Sequence, residues 1–157
     1  MSCTFQQCLG KTKLCRPCRR KTCFYAPFCH QHSAVRVERS PIQGMGNGVV
    51  AKRDIKSGEV LGNYKIGTKS LDVSNLPQDR EYVWMPSQKE AYDGNYKKIK
   101  SVNSIAPYFN RGGKAPDGKT YSASGKIYGS GQVRATVNIK KGKEILVTGY
   151  GPAYKMH

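Results

Sequence analysis

All six cysteines of this chain lie between residues 3 and 29, and two of its three histidines, His30 and His32, follow at once. The spacing is Cys3-x4-Cys8-x6-Cys15-x2-Cys18-x4-Cys23-x5-Cys29-x2-His32, and no cysteine occurs later. A segment this short buries too little apolar surface to fold unaided, so it needs a staple. The opening residues, MSCTFQQCLG, lack the hydrophobic stretch of a secretory signal, and no apolar run reaches the length of a membrane-spanning helix. The expected surroundings are a reducing cytosol or nucleus, where cysteines serve as metal ligands rather than disulfides. Zinc, held tetrahedrally by thiolates and imidazoles from separated pairs, is the expected staple. The seven ligands Cys3, Cys8, Cys15, Cys18, Cys23, Cys29 and His32 exceed one site. Either one zinc takes four, with Cys8, Cys15, Cys29 and His32 the first choice, or two zincs share the set. His30 shares a face with His32 in an extended chain and can replace it. Residues 1–33 are thus expected to form a zinc-binding module, and 34–157 a second domain.

The second domain reads as mainly β. Short β-branched or aromatic runs bounded by Gly, Pro, Asn and Asp mark strands at Val35–Glu38, Gly48–Arg53, Glu59–Tyr64, Glu81–Met85, Gln132–Val137 and Glu144–Thr148. No long amphipathic helical period is present. Gln88–Lys100 is the one candidate for a short helix, weakened by Gly94 and Asn95. Two stretches, Ala51-Lys-Arg-Asp-Ile-Lys-Ser-Gly58 and Ala135-Thr-Val-Asn-Ile-Lys-Lys-Gly142, share the pattern A-x-x-x-I-K-x-G. They are two ordinary hairpins matching by chance, or one strand–turn–strand device used on both sides of a centre.

Charge narrows the partners. The 157 residues carry 27 basic and 10 acidic side chains, a net +17. Such an excess points to a polyanion: nucleic acid, chromatin or an anionic membrane surface. Arg16, Arg19, Arg20 and Lys21 inside the cysteine segment either touch phosphate or form a solvated basic face. Residues 72–93 run the other way, with Asp72, Asp79, Glu81, Glu90 and Asp93 against Arg80 and Lys89, five acids less two bases, net −3. They form an acidic groove for a basic peptide or a solvated loop.

Three stretches suggest a site. Gly44-Met-Gly-Asn-Gly48 opens a strand, and its glycines let a ligand lie against bare backbone. It is no P-loop, because neither a helix nor Lys-Ser/Thr follows. Ser104-Ile-Ala-Pro-Tyr-Phe-Asn-Arg-Gly-Gly113 places an Asn at the end of an apolar run, where it needs partners. Thr148-Gly-Tyr-Gly151 sets a Tyr between two glycines after the last strand, either for packing or as a working hydroxyl.

In order and content, four stretches resemble the SET domain of protein-lysine methyltransferases: Ser40-Pro-Ile-Gln-Gly-Met-Gly-Asn-Gly-Val-Val-Ala51, Ile55-Lys-Ser-Gly-Glu-Val-Leu61, Asn103-Ser-Ile-Ala-Pro-Tyr-Phe-Asn110, and Ala135 to Gly151. The resemblance covers residues 35–151. It implies a SET-domain-like knot of small β-sheets that brings Asn110 and Tyr150 together. It implies S-adenosylmethionine against the backbone of Met45, Gly46 and Asn47, held by Asn110 and the backbone of Arg111, with Tyr108 and Phe109 packed beneath. Tyr150 is the implied catalytic hydroxyl, and Tyr64, Tyr82 and Tyr154 are candidate walls of a lysine channel. The sequence departs from the family where Asn-His-Ser-Cys becomes Asn110-Arg-Gly-Gly, where Pro107 replaces an Arg, and where Gly149 replaces an acid before the Tyr.

Small size and the Cys/His front also resemble viral forms of the domain. The implied activity is methylation of a target lysine on a histone tail, a nucleosome or another nucleic-acid-bound basic protein. Basic surface would contact DNA, the setting would be nuclear (the host nucleus if viral), and no membrane partner is expected. Two other classes compete: an inactive SET-like zinc protein that binds DNA or nucleosomes, and a structural protein that packages nucleic acid by charge alone.

Overall fold

A computed structural model describes residues 5–7, 19, 21–23, 34–65, 69–76, 78, 83–93 and 108–151, with 5–7, 21–23 and 69 described by backbone alone. Among the described residues there is no α-helix. The strands are β1 (Phe5–Gln7), β2 (Lys21–Cys23), β3 (Val35–Arg39), β4 (Asn47–Ala51), β5 (Val60–Asn63), β6 (Lys69–Leu71), β7 (Val83–Ser87), β8 (Glu90–Asp93), β9 (Gly113–Lys114), β10 (Thr120–Tyr121), β11 (Gly125–Ile127), β12 (Gln132–Ala135) and β13 (Val147–Thr148). They form small sheets: β1-β2, β3-β4, β9-β10, the three-stranded β6-β8-β7 and the four-stranded β13-β11-β12-β5. The expectation of a knot of small β-sheets for the second part holds.

The short helix expected from Gln88 does not form over the described part of that stretch. Glu90–Asp93 is a strand paired with both β6 and β7, while residues 94–100 lie outside the described residues. Cross-strand packing decides the matter: Trp84 and Tyr92, opposite in register, stack with centroids 5.3 Å apart. The run Glu144–Thr148 is also not one strand. Glu144 bridges Val50 and the Ile145 amide bonds Val49 O at 2.8 Å, whereas Val147 and Thr148 pair in parallel with β11. The segment changes partner midway and so stitches two sheets together.

The repeated A-x-x-x-I-K-x-G stretches meet face to face. Ile55 and Ile139 exchange backbone hydrogen bonds, each 2.8 Å long. The Gly58 amide donates to Ala135 O and the Gly142 amide to Ala51 O, both at 2.8 Å. Side chains repeat the symmetry: Asn138 Oδ1 accepts from Ser57 N and Asp54 Oδ1 from Lys141 N, both at 2.9 Å. The echo is a local two-fold, one strand–turn–strand device used twice. Its isoleucines join the main core, which includes Val49, Leu61, Tyr64, Trp84, Phe109, Val133, Ile145, Val147 and Tyr150.

Candidate active site

Tyr150 lies at the centre of this core, 2% exposed. Its hydroxyl donates to the carbonyl of Phe109, the residue before Asn110. Its ring meets that of Tyr64 edge-on at 5.9 Å, and Tyr64 lies 5.4 Å from Trp84. The Trp84 indole donates to Gly149 O at 3.1 Å, and the Met85 amide to Tyr150 O at 3.0 Å. The flanking glycines make this placement possible. Gly149 and Gly151 have φ of 97° and 78°, values that a side chain disfavours. A Cβ at Gly149 would stand 2.5 Å from Ile127 O, and one at Gly151 would overlap Met85 O. No acidic side chain fits before this tyrosine, which accounts for the departure at Gly149.

Asn110 sits one residue beyond Phe109 and joins the glycine loop to the C-terminal segment. Its amide donates to Asn47 O at 3.1 Å and to Glu144 Oε1 at 2.9 Å. The other Glu144 oxygen accepts from Ser40 Oγ at 2.8 Å, and the Ser40 amide donates to Gly46 O at 2.8 Å. Glu144 thus ties Ser40, the glycine loop and Asn110 together. Val147 accepts from Gly112 N and donates to Asn110 O, which turns the Arg111 amide and carbonyl to the opposite side.

A cleft of about 310 Å³ runs over Gly149 and Gly151, walled by Trp84–Ser87 of β7, by Gln88 just past it and by Ile127–Gly129. Of the five acids of residues 72–93, Asp79 and Glu81 lie outside the described residues. Among the described residues, none that lines the cleft is acidic. Asp72 instead caps its own turn, and hydrogen bonds from the Ser74 hydroxyl and amide hold its carboxyl below the usual carboxylate range. The 72–93 insert walls the cleft through β7, an edge strand, with apolar and neutral side chains.

The structure brings together Gly46, Asn47, Asn110, Phe109, Tyr64 and Tyr150. Met45 is buried with Ile42, Ala115 and Leu146, Tyr108 packs half-buried against the main core, and Arg111 is exposed. Tyr82, Tyr154, Cys3, Cys8, Cys15, Cys18, Cys29 and His32 lie outside the described residues, and Cys23 is described only by its backbone, opposite Phe5 in β1-β2. Among the described residues no group of three metal-ligating side chains converges.

No family model matches this chain, and no curated protein matches it in sequence. Solved structures match it in shape. The methyltransferase domain of human PR domain-containing protein 2 superposes with a TM-score of 0.50 at 19% identity, covering 74% of this chain and 76% of that one. KRYPTONITE, solved with mCHG DNA and SAH, gives 0.52 at 18%, covering 75% of this chain and 23% of its own. Polycomb repressive complex 2 of Chaetomium thermophilum, bound to S-adenosylmethionine, gives 0.51 at 17%, with 78% and 16% covered.

The fold is SET-domain-like.

Within this SET-like fold, sequence reasoning missed Trp84, Glu144 and Ser40. Trp84 was reachable, since strand alternation puts the chain's single Trp on the same face as Tyr82. Glu144 follows each repeat's pattern, but nothing local tells that its carboxylate reaches Ser40, 104 positions earlier.

Proposed function

We propose that this chain is an S-adenosylmethionine-dependent protein-lysine methyltransferase acting on histone tails or another nucleic-acid-bound basic protein. The observation that carries the reading is the buried Tyr150 hydroxyl, bonded to the carbonyl beside Asn110 and surrounded by aromatic rings. The residues fit the cofactor. A Cβ at Gly46 would meet nothing within 4 Å, so that side of the loop is open. Asn47 beside it is exposed. Both Asn110 amide hydrogens are taken by protein, which leaves Oδ1, without a partner among the described residues, to accept from an amino group. Bound there, S-adenosylmethionine would supply a sulfonium methyl group.

The chain's own residues do the rest. A lysine amine, with an ordinary pKa of about 10.4, must lose its proton before it can attack. The aromatic walls of Tyr64, Trp84 and Tyr150 disfavour the ammonium by excluding water. Because the Tyr150 proton is engaged by Phe109 O, its oxygen lone pairs can receive an amine N–H and aim the nitrogen. The cleft over Gly149 and Gly151, edged by β7, suits an extended peptide paired to a strand edge. A zinc ion held within residues 3–32 and a nuclear setting belong to the same proposal. The zinc rests on Cys/His spacing, and native mass spectrometry of the purified chain tests it.

The deciding experiment is transfer of labelled methyl to nucleosomes and free histones by wild type and Tyr150→Phe. Transfer that vanishes in the variant, with the fold retained, supports the reading. Near-normal transfer by the variant sinks the assignment of Tyr150. A second reading, a silent binder of DNA or nucleosomes, is favoured by the departure at Asn110-Arg-Gly-Gly together with the net charge of +17. Absence of label on every substrate, together with no cofactor binding, would select it.

A further inference from the structure

The two-fold that joins the repeated turns also gathers charge. Lys52, Arg53 and Lys56 lie on one turn, and Lys140, Lys141 and Lys143 on the other. The paired Ile55 and Ile139 hold the turns side by side, with facing backbones about 5 Å apart. Two acids, Asp54 and Glu59, lie on or beside the first of these turns. Asp54 accepts the Lys141 amide and only reaches Lys140 Nζ at 3.9 Å, while Glu59 pairs with Arg53 at 3.0 Å. Lys56, Lys141 and Lys143 are exposed and have no ion pair among the described residues, and the Lys140 side chain is 83% exposed.

We propose that these paired turns are a docking surface for the phosphate backbone of duplex nucleic acid. The chemistry selects that partner. The turns' two isoleucines are buried, and no aromatic side chain lies on either turn. A protein partner would look for an apolar or aromatic centre. A single strand would need rings on which to stack bases. A duplex offers about one charge per 1.7 Å and requires only fixed cations. The backbone ties across the two-fold supply that fixity.

The surface adjoins the site without entering it. Lys143 precedes Glu144, and Ala51, where β4 ends at the turn, is about 10 Å along the strand from Gly48. None of the turn residues lines the cleft over Gly149 and Gly151. The purpose of the surface rests on the proposed methyltransferase reading, but its existence does not.

The test measures affinity for a short mixed-sequence DNA duplex by fluorescence anisotropy over a range of salt. Compared are wild type, Lys56→Ala/Lys140→Ala/Lys141→Ala, and a control with equal charge loss, Lys89→Ala/Lys114→Ala/Lys119→Ala. The slope of log affinity against log salt should flatten by about 2.7 in the turn variant, about 0.9 for each lost contact, and stay near wild type in the control. Lys141→Ala alone should flatten it by about 0.9 if the triple variant folds poorly. Equal slopes in both triple variants would overturn the proposal, leaving adhesion by overall charge. Retained DNA binding with lost binding to phosphatidylserine vesicles would overturn it in favour of a membrane. Methyl transfer to a free basic peptide, run beside these, should be unchanged in the turn variant. No transfer by wild type would defeat the enzymatic reading and leave the DNA result standing.

Discussion

Gly48→Ala tests the junction at Glu144 most directly. A Cβ at Gly48 would overlap Glu144 Oε1 and stand 2.9 Å from Asn110 Nδ2. The carboxylate is the far end of a flexible side chain, so it can swing aside. It then gives up its bonds from Asn110 at 2.9 Å and Ser40 at 2.8 Å. A hydrogen bond to a charged group contributes about 1.5–3 kcal/mol, and half-burial of Glu144 argues for the low end, so the pair is worth about 3 kcal/mol. Replacing a strand glycine by alanine returns about 0.5–1 kcal/mol. The net loss should be about 2 kcal/mol, a drop of roughly 4–8 °C in Tm for a chain of this size. In a Glu144→Ala background the same substitution should be neutral or slightly stabilising. Urea denaturation of the four proteins gives the coupling, expected near 3 kcal/mol. A coupling below about 0.5 kcal/mol would refute the junction, since independent sites add within that margin.

Other outcomes follow from single sites. Ser124 Oγ is buried without a hydrogen-bond partner among the described residues, so Ser124→Ala should stabilise by up to about 1 kcal/mol in urea. Ile55→Ala removes a side chain 1% exposed at the two-fold and should cost about 3 kcal/mol, with Ile139→Ala close behind at 5% exposure. The Tyr121 hydroxyl donates to Asp117 at 2.6 Å, which raises the tyrosine above its ordinary 10.0 and lowers the aspartate below 3.8. The tyrosine's share of stability is present below pH 10.0 and lost as pH rises through its higher folded value. The aspartate's share is present above pH 3.8 and lost as pH falls through its lower one. Asp117→Ala should bring the Tyr121 midpoint, followed by NMR, back toward 10.0.

Legibility in the sequence followed the range of the interaction. The strands at Val35, Gly48, Glu59 and Gln132 were readable because alternation and Gly punctuation are local signals. The repeat was readable as a pattern, yet its meaning as a two-fold needed Asn138 to meet Ser57, 81 positions away. The helix expected from Gln88 gives way to a strand over Glu90–Asp93, because Trp84 and Tyr92 overrule local preference across a strand pair. At the site, the glycine loop, Asn110 and Tyr150 stood out as residue types in odd settings. Glu144 did not, because an exposed-looking Glu after a turn is ordinary until its carboxylate is seen between Ser40 and Asn110.

The placement of Tyr150 explains why site and fold cannot be separated here. Its hydroxyl is held by Phe109, its carbonyl by Met85, and its neighbour Gly149 by Trp84. Those partners belong to the Asn segment and to β7, neither of which pairs with the other in a sheet. The C-terminal segment therefore closes the structure: residues 144–145 join β4, 147–148 join β11, and 149–151 reach β7. A side chain at either flanking glycine would push this segment away from Ile127 or Met85 and pull the hydroxyl off Phe109. Gly151→Ala should therefore impair any chemistry at Tyr150 through position alone, with the tyrosine itself intact. The S-adenosylmethionine binding proposed at the glycine loop, which Glu144 secures from the other end of the segment, should survive the same change.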